Sequence, residues 1–354
     1  MARWEIKNVR LAGVAATMPS RVVKTTDFDF FTPEEADTFM KTVGIRERRL
    51  ATEDVCASDL CQAAAERLLD ELAWDKASVD VLVFESVTGD YHPTPPTSCI
   101  LQDRLGLPET TFCVDIPMGC CGCMYAINVA GNMLSSGNVK RALLLVGDTA
   151  MRMGSLKDKS RVPLFGDCGT AIALEYEEGA EDIVIDFHTY GGGYKALMTP
   201  HGGFRNPITP NSFEYEDFGN GIVRAPMHTL IEGMNVLAFA ISRPPKTMEQ
   251  FIADYQLDRE HDVDFFLIHQ ANKMIVDRIV KKMKFPPEKT PYNLEEFGNL
   301  GGASIPALMV TRIAEHLKGD NELNLLCSSF GLGLSWGTMM LKCKNVVVPE
   351  LIEL

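Results

Sequence analysis

The sequence predicts an α/β protein built from two similar halves around parallel or mixed sheets. Two observations carry this prediction. Apolar runs of strand length alternate with longer segments of helical spacing. Several of those runs are also apolar at successive positions, the pattern of strands covered by helices on both faces. The length of 354 residues leaves room for two core-forming units of ordinary size.

Taken in order, Val79–Ser86 (VDVLVFES), Thr111–Ile116 (TFCVDI) and Arg141–Asp148 (RALLLVGD) read as strands. Ser58–Ala73, Thr97–Leu105 and Cys121–Ser136 have helical spacing. The second half repeats the theme. A strand at Asp264–Ile268 is followed by a helix through Met283, a helix near Ala303–Leu317 and a strand at Leu323–Ser329. The division falls near 175–180, giving halves 1–178 and 179–354. One segment, 191–226, is rich in Gly, Pro, Asn and aromatics and has no clean period. It reads as a lid, a pocket wall or a plain surface excursion.

Composition narrows the function. Apolar residues make up 46% and charged residues 23%, the balance of a soluble globular protein. No apolar stretch is long enough to span a membrane. The opening MARWEIKNVRLAGV carries charges and no long apolar run, so no secretory signal is expected and the chain reads as cytoplasmic. The ten cysteines fit that compartment, since they lie in apolar runs without a disulfide spacing. A net charge of −14 argues against nucleic-acid binding. Against that acidic background, Asn272–Phe285 (NKMIVDRIVKKMKF) concentrates Lys273, Arg278, Lys281, Lys282 and Lys284 against Asp277 alone. This is either a solvated helix face or a docking surface for an acidic partner.

The densest chemical signal is PMGCCGCMYAINVA, residues 117–130. Cys120, Cys121 and Cys123 would point in different directions from a helix start, and no partnering CxxC or HxxxH follows, so no metal site is expected. Adjacent cysteines make no unstrained disulfide. What remains is packing or a nucleophile. A cysteine between a strand end and a helix start meets unpaired N–H groups and the positive end of the helix dipole, which would lower its thiol pKa. His269 follows the strand DFFLI, at the sheet edge where ligands bind in open α/β folds. Phe297–Ser304 (FGNLGGAS) is a Gly/Asn-rich turn able to present the Asn299 amide, or simply a good turn and cap. Phe330–Gly337 (FGLGLSWG) suits a close backbone approach, or a turn between two C-terminal strands.

Read together and in order, these segments resemble the ketoacyl-ACP synthase III branch of the thiolase superfamily. The resemblance rests on GIRER (Gly44–Arg48), the nucleophile turn C-x-G-x-x-Y-A in CCGCMYA, and FGD (Phe165–Asp167). HQAN (His269–Asn272), GN-x-x-x-AS (Gly298–Ser304) and FG-x-G-x-x-WG (Phe330–Gly337) complete it. It implies a five-layered α-β-α-β-α thiolase fold of two related halves, usually a homodimer. The C-x-G pattern places the nucleophile at Cys120 and leaves Cys121 and Cys123 to packing. His269 and Asn299 match the pair that binds the malonyl thioester carbonyl. The backbone N–H groups of Cys120 and Leu332 would form the oxyanion hole.

The implied reaction, of the fatty-acid-biosynthesis type, needs no metal or redox cofactor. An acyl group passes from an acyl-CoA or acyl-ACP donor to Cys120, and malonyl-ACP then loses carbon dioxide and condenses with it. Lys273, Lys281 and Lys282 would dock the acyl carrier protein. Some positions depart from the housekeeping enzyme. Its CoA-clamping tryptophan and arginine fall at Thr38 and Thr42, and a further arginine falls at Lys159, so acetyl-CoA is not the expected donor. An aromatic gate across the dimer interface falls at Thr94, which leaves room for a larger acyl group. Leu300 and Leu332 replace a threonine and a glycine on the site wall, and Met274 replaces a docking arginine. An acyltransferase passing the group from Cys120 to a hydroxyl or amine is the alternative, and a non-catalytic partner of a heterodimeric synthase a more remote one.

Overall fold

The computed structural model describes residues 2–354. Eleven strands make two large sheets: β1 (Ala2–Ile6), β2 (Val9–Met18), β3 (Val81–Glu85), β4 (Phe112–Ile116), β5 (Arg141–Asp148), β6 (Cys168–Tyr176), β7 (Ile183–Thr189), β8 (Phe265–Ile268), β9 (Leu323–Gly331), β10 (Ser335–Cys343) and β11 (Ile352–Glu353). The first sheet runs β11-β2-β6-β5-β3-β4 and the second β1-β7-β10-β9-β8. Both are mixed: β3 lies parallel to β4 and β5, while β5 pairs antiparallel with β6. In the second sheet β8 and β9 are parallel, and β9 and β10 form an antiparallel hairpin.

Period-two burial in the first sheet shows how the layers stack. Val81, Val83, Ala142, Leu144 and Val146 face a core shared with the second sheet, whereas Leu82, Phe84, Leu143 and Leu145 face an outer helix layer. That outer layer holds α2 (Ala57–Leu72) and α3 (Thr97–Leu105), which follow α1 (Pro33–Val43) in the chain. Between the sheets lie α4 (Gly122–Ser135) and, later in the chain, the helix Ser304–Arg312. Met124, Ile127 and Leu134 of α4 are buried there, each side chain contributing about 1.5–3 kcal/mol by leaving water. The far face of the second sheet is covered by α5 (Gly233–Ala240), α6 (Arg243–Asp254) and α7 (Lys273–Met283). The order is α-β-α-β-α, the five layers expected. No helix among the described residues is long and apolar enough to cross a membrane.

Two features differ from the sequence reading. The single helix expected near Ala303–Leu317 is broken at Ile313, where φ is −125° and ψ 15°, between Ser304–Arg312 and Ala314–Leu317. A division at 178/179 falls between β6 and β7, where the chain leaves the first sheet for the second, but neither end respects it. β1 pairs with β7 in the second sheet, and β11 pairs with β2 in the first.

Candidate active site

Strand ends from both halves meet at a short turn, Gly119–Cys121, which carries Cys120 between β4 and α4. A Cβ at Gly122 would fall 2.0 Å from the Glu85 carboxyl, so the residue two beyond the nucleophile has no space for a side chain. From the other half, Gly331 abuts the cysteine, and a Cβ there would lie 3.0 Å from Cys120 Sγ. Close backbone approach is therefore built into both the C-x-G and FGLG motifs. Cys121 and Cys123 are buried in the core between the sheets, directed away from the half-buried Cys120.

The turn after β9 does two things at once. It reverses the chain into β10, and it brings the Leu332 N–H close enough to favour a charge on Cys120 sulfur, as the Cys120 N–H does. Those two donors are outweighed. Burial above all, followed by the nearby Asp148 and Glu85 carboxyls, pushes the Cys120 thiol up to about 12. This corrects the expectation of a lowered thiol pKa: the helix start lies inside the protein, where losing water costs a thiolate more than the dipole returns.

Sequence inspection passed over both carboxyls. Glu85 closes β3, is fully buried, and neither oxygen has a hydrogen-bond partner. Burial, then the neighbouring Asp148, holds it well above the usual carboxylate range. Asp148, at the end of β5, is also raised by burial, although its Oδ1 accepts from Ser86 Oγ (2.9 Å), Val87 N–H (2.9 Å) and Thr88 Oγ1 (3.1 Å). The VFES and VGD strand ends were the available signal, because a carboxylate closing an apolar run points towards whatever lies at the sheet edge.

His269 sits one residue past β8, anchored by its N–H to Ser328 O at 2.8 Å. Its ring packs edge-on against Phe330, next to the Gly331 that touches Cys120. Nδ1 lies 3.1 Å from Ser304 Oγ, at the start of the inner helix. Burial pushes the imidazole down to about 4, with the nearby Gly301 backbone acting the other way, so the ring is neutral at physiological pH. Asn299 is held in the adjacent turn. Its Oδ1 accepts from Gly301 N–H at 2.9 Å, which fixes the amide with Nδ2 as the donor, directed to Ala271 O at 3.4 Å. The next residue but two, Gly302, faces Glu85 from the opposite side to Gly122. Cys120, His269 and Asn299 are thus gathered by tightly packed turns, and Ser304 is a fourth member that spacing alone did not single out.

A cavity of about 350 Å³ opens from Cys120. Its floor is Met118, Gly119, Cys120, Gly301 and Leu332, while its far wall is made by Met153, Arg161, Leu197, Met198, Thr229 and Ile231. His269 and Asn299 do not line it. Of the 191–226 segment, Leu197–Thr199 therefore forms pocket wall, whereas Phe204, Ile208, Phe213 and Phe218 are exposed. Arg161 in that wall was also missed from sequence.

Leu300, expected on the site wall, is instead buried in the core and does not line the cavity, while the docking, gate and CoA-contact positions lie at the surface. Thr94 is in the exposed stretch before α3 and does not line the cavity of its own chain. Lys273 pairs with Asp277 at 2.5 Å along α7, Lys282 Nζ donates to Ile241 O, and Lys281 is exposed on the same helix. Thr38 and Thr42 are exposed on α1, and Lys159 is tied to Glu35 of that helix at 2.7 Å.

Comparison with known proteins gives a consistent result. Residues 114–193 match the model for 3-oxoacyl-[acyl-carrier-protein] synthase III, and residues 256–343 match that for its C-terminal domain. The chain is 32% identical to a β-ketoacyl-[acyl-carrier-protein] synthase III of Rhodopirellula baltica, over 95% of this chain and 99% of that one. It is 29% identical to one from Koribacter versatilis over 95% and 98%. A 3-oxoacyl-(acyl-carrier protein) synthase structure from Burkholderia xenovorans superposes with a TM-score of 0.92 at 33% identity, covering 99% of both chains.

Proposed function

The chain belongs to the 3-oxoacyl-[acyl-carrier-protein] synthase III family of condensing enzymes, and from that premise we propose that it joins an acyl group held on Cys120 to malonyl-ACP. The observation that carries this reading is the convergence of the Cys120 and Leu332 N–H groups on the thiol, with His269 and Asn299 in the turns packed beside it.

In the first stage a bond forms between Cys120 Sγ and the acyl carbon, and the bond from that carbon to the carrier sulfur breaks. The thiol proton ends on the departing carrier, so the exchange is neutral in protons. This suits a site where a free thiolate is costly, because the anion need exist only transiently. The two N–H groups meet the oxyanion of the tetrahedral intermediate, charge that appears only near the transition state. Malonyl-ACP then loses carbon dioxide, and its thioester oxygen takes enolate charge. Asn299 Nδ2 donates to that oxygen. His269 joins it through Nε2–H when Ser304 Oγ–H donates to Nδ1, a tautomer the serine can impose. A neutral imidazole pushed down to about 4 keeps this donor role without becoming a cation. The carbanion attacks the acyl-enzyme, the bond from the acyl carbon to Cys120 Sγ breaks, and the departing sulfur takes a proton from water, which restores the thiol and yields a β-ketoacyl thioester. Covalent storage makes this attack effectively intramolecular. Neither a metal nor a redox cofactor enters any step.

The exposed cationic face of α7, with Lys273, Lys281 and Lys282, would receive the acidic carrier protein, mainly by raising its encounter rate. A homodimer would bring the stretch carrying Thr94 to the partner's cavity as a small, permissive gate. Lys159 engaged with Glu35 is a poor phosphate ligand, which favours a donor other than acetyl-CoA. The test is to load Cys120 from a panel of acyl-CoA and acyl-ACP donors, add malonyl-ACP, and follow carbon dioxide and β-ketoacyl product together. An acylated Cys120 with no decarboxylation would overturn condensation in favour of transfer to a hydroxyl or amine.

A further inference from the structure

A carboxyl borders the Cys120 cavity for which neither stage of the reaction has yet found a use. Asp148, closing β5, is 4% exposed. Its hydrogen bonds fall on Oδ1, which accepts from Ser86 Oγ, Val87 N–H and Thr88 Oγ1. Three donors from one loop hold the group in place and leave Oδ2 without a partner. Oδ2 faces Gly301, where a Cβ would stand 3.1 Å from it, and Gly301 is part of the cavity floor. Glu85 is a different case. Both its oxygens are sealed from solvent and it borders no part of the cavity, whereas Asp148 borders the cavity and its Oδ2 is not sealed.

Loading moves one proton, from the Cys120 sulfur to the carrier sulfur, and a group at the site must carry it. With its thiol pushed up to about 12, Cys120 holds that proton until the acyl carbon is attacked. Among the described residues bordering the cavity, the other groups that titrate are Asp148 and Arg161, and a guanidinium already charged accepts nothing. His269 borders no part of it, and burial makes its imidazole a weak base. After burial itself, Asp148 is the strongest influence raising the Cys120 thiol. A negative charge so placed opposes a free thiolate, yet it is a near acceptor for the proton the sulfur gives up. Burial raises the Asp148 carboxyl above its ordinary value, which strengthens it as a base.

We infer that Asp148 is the proton carrier of the loading stage, acting through its unpartnered Oδ2. The inference rests on the loading step proposed above. As the bond from Cys120 Sγ to the acyl carbon forms, the thiol proton passes to Oδ2. As the bond from that carbon to the carrier sulfur breaks, the same proton passes from Oδ2 to the departing sulfur. The carboxylate is restored, and no proton is exchanged with solvent. The labour then divides by stage: Asp148 serves acyl transfer, while His269 and Asn299 serve the enolate.

The test follows the Cys120 adduct by intact mass, without malonyl-ACP, using one acyl group on two small carriers. N-acetylcysteamine is an alkyl thiol that needs a proton to leave; thiophenol leaves unaided as the thiolate. The native chain should load from the two at rates less than about tenfold apart, because the alkyl sulfur is given its proton. Asp148→Asn keeps an oxygen for the three loop donors and removes the base. It should load from the alkyl thioester about 10²-fold more slowly and from the phenyl thioester at most about tenfold more slowly. Loading from the phenyl thioester doubles as a check that the variant is folded. A carboxyl that only held the Ser86–Thr88 loop would slow both donors by one factor, and that result overturns the inference, as does no slowing at all. So does a native chain that loads the phenyl thioester far faster than the alkyl one, an arm that stands whether or not the variant folds. If loading behaves as expected and malonyl-ACP is then not decarboxylated, condensation falls and this inference stands. If neither donor loads the native chain, both fall together.

Discussion

The floor and the far wall of the Cys120 cavity are built on opposite principles. The floor rests on short turns at strand ends, packed beneath it until a single methyl would collide: Gly122 against Glu85, Gly331 against Cys120. The far wall comes from Arg161 and from the two-stranded ribbon Leu197–Met198 with Leu230–Ile231, set among irregular chain. Tight turns tolerate few residue types, whereas a pocket wall tolerates any that fit its ligand. On the proposed reading, the turns around Cys120 carry the chemistry and the far wall the choice of substrate.

Breaking the packed turns around Cys120 should have the largest effects. Cys120→Ala should abolish both the acyl adduct and condensation, read by intact mass and carbon dioxide release. His269→Ala or Asn299→Ala should slow malonyl-ACP decarboxylation by about 10²–10³-fold while Cys120 still acylates; equal loss of both stages would break the division of labour. Ser304→Ala, which removes only the partner of His269 Nδ1, should cost decarboxylation about tenfold, within the range for a positioned proton-handling group, and leave the loading rate and its pH profile unchanged. Gly122→Ala should destabilise by about 1–3 kcal/mol through overpacking, and adding Glu85→Ala should recover part of that loss, a coupling readable in chemical denaturation.

The pH behaviour sharpens the same contrast with smaller effects. With its thiol pushed up to about 12, Cys120 should be alkylated by iodoacetamide about tenfold faster per pH unit through the neutral and mildly alkaline range, with no plateau. His269 works with the opposite sign. Its folded pKa near 4 lies below the ordinary 6.5, so the unfolded chain takes the proton first, and stability present above 6.5 is lost as pH falls towards 4. His269→Gln should flatten that acid limb of the stability curve. The smallest change expected is from Lys281→Glu with Lys282→Glu, which should raise the KM for the carrier protein and weaken its salt dependence, leaving kcat in place.

The same contrast explains what the sequence made legible. Arg141–Asp148 reads correctly from end to end because it is apolar at nearly every position and buried on both faces. Val9–Met18 escaped notice, being broken up by Ala and Gly, residues that carry little strand signal although the strand is just as buried, and Ser335–Cys343 was legible only as one arm of a turn between two C-terminal strands. Cys120, His269 and Asn299 lie in turns with distinctive spacing. The direction of the Cys120 pKa was illegible because it depends first on how deeply the fold buries the thiol, and then on Asp148 and Glu85, which arrive from other strands. Arg161 was illegible for a related reason: SRVP looks like any surface turn until the fold surrounds it.

The exchanged ends of the chain have a mechanical consequence. β1 belongs to the second sheet and β11 to the first, so each half is completed by a strand from the other's stretch of sequence. Fragments made by cutting at 178/179 would each lack an edge they own in the intact molecule and carry one they cannot use. The halves are clasped at both ends, with the reacting sulfur on the seam between them. Loosening either clasp therefore loosens the seam, and the two halves should melt in a single transition that takes Cys120 loading with it.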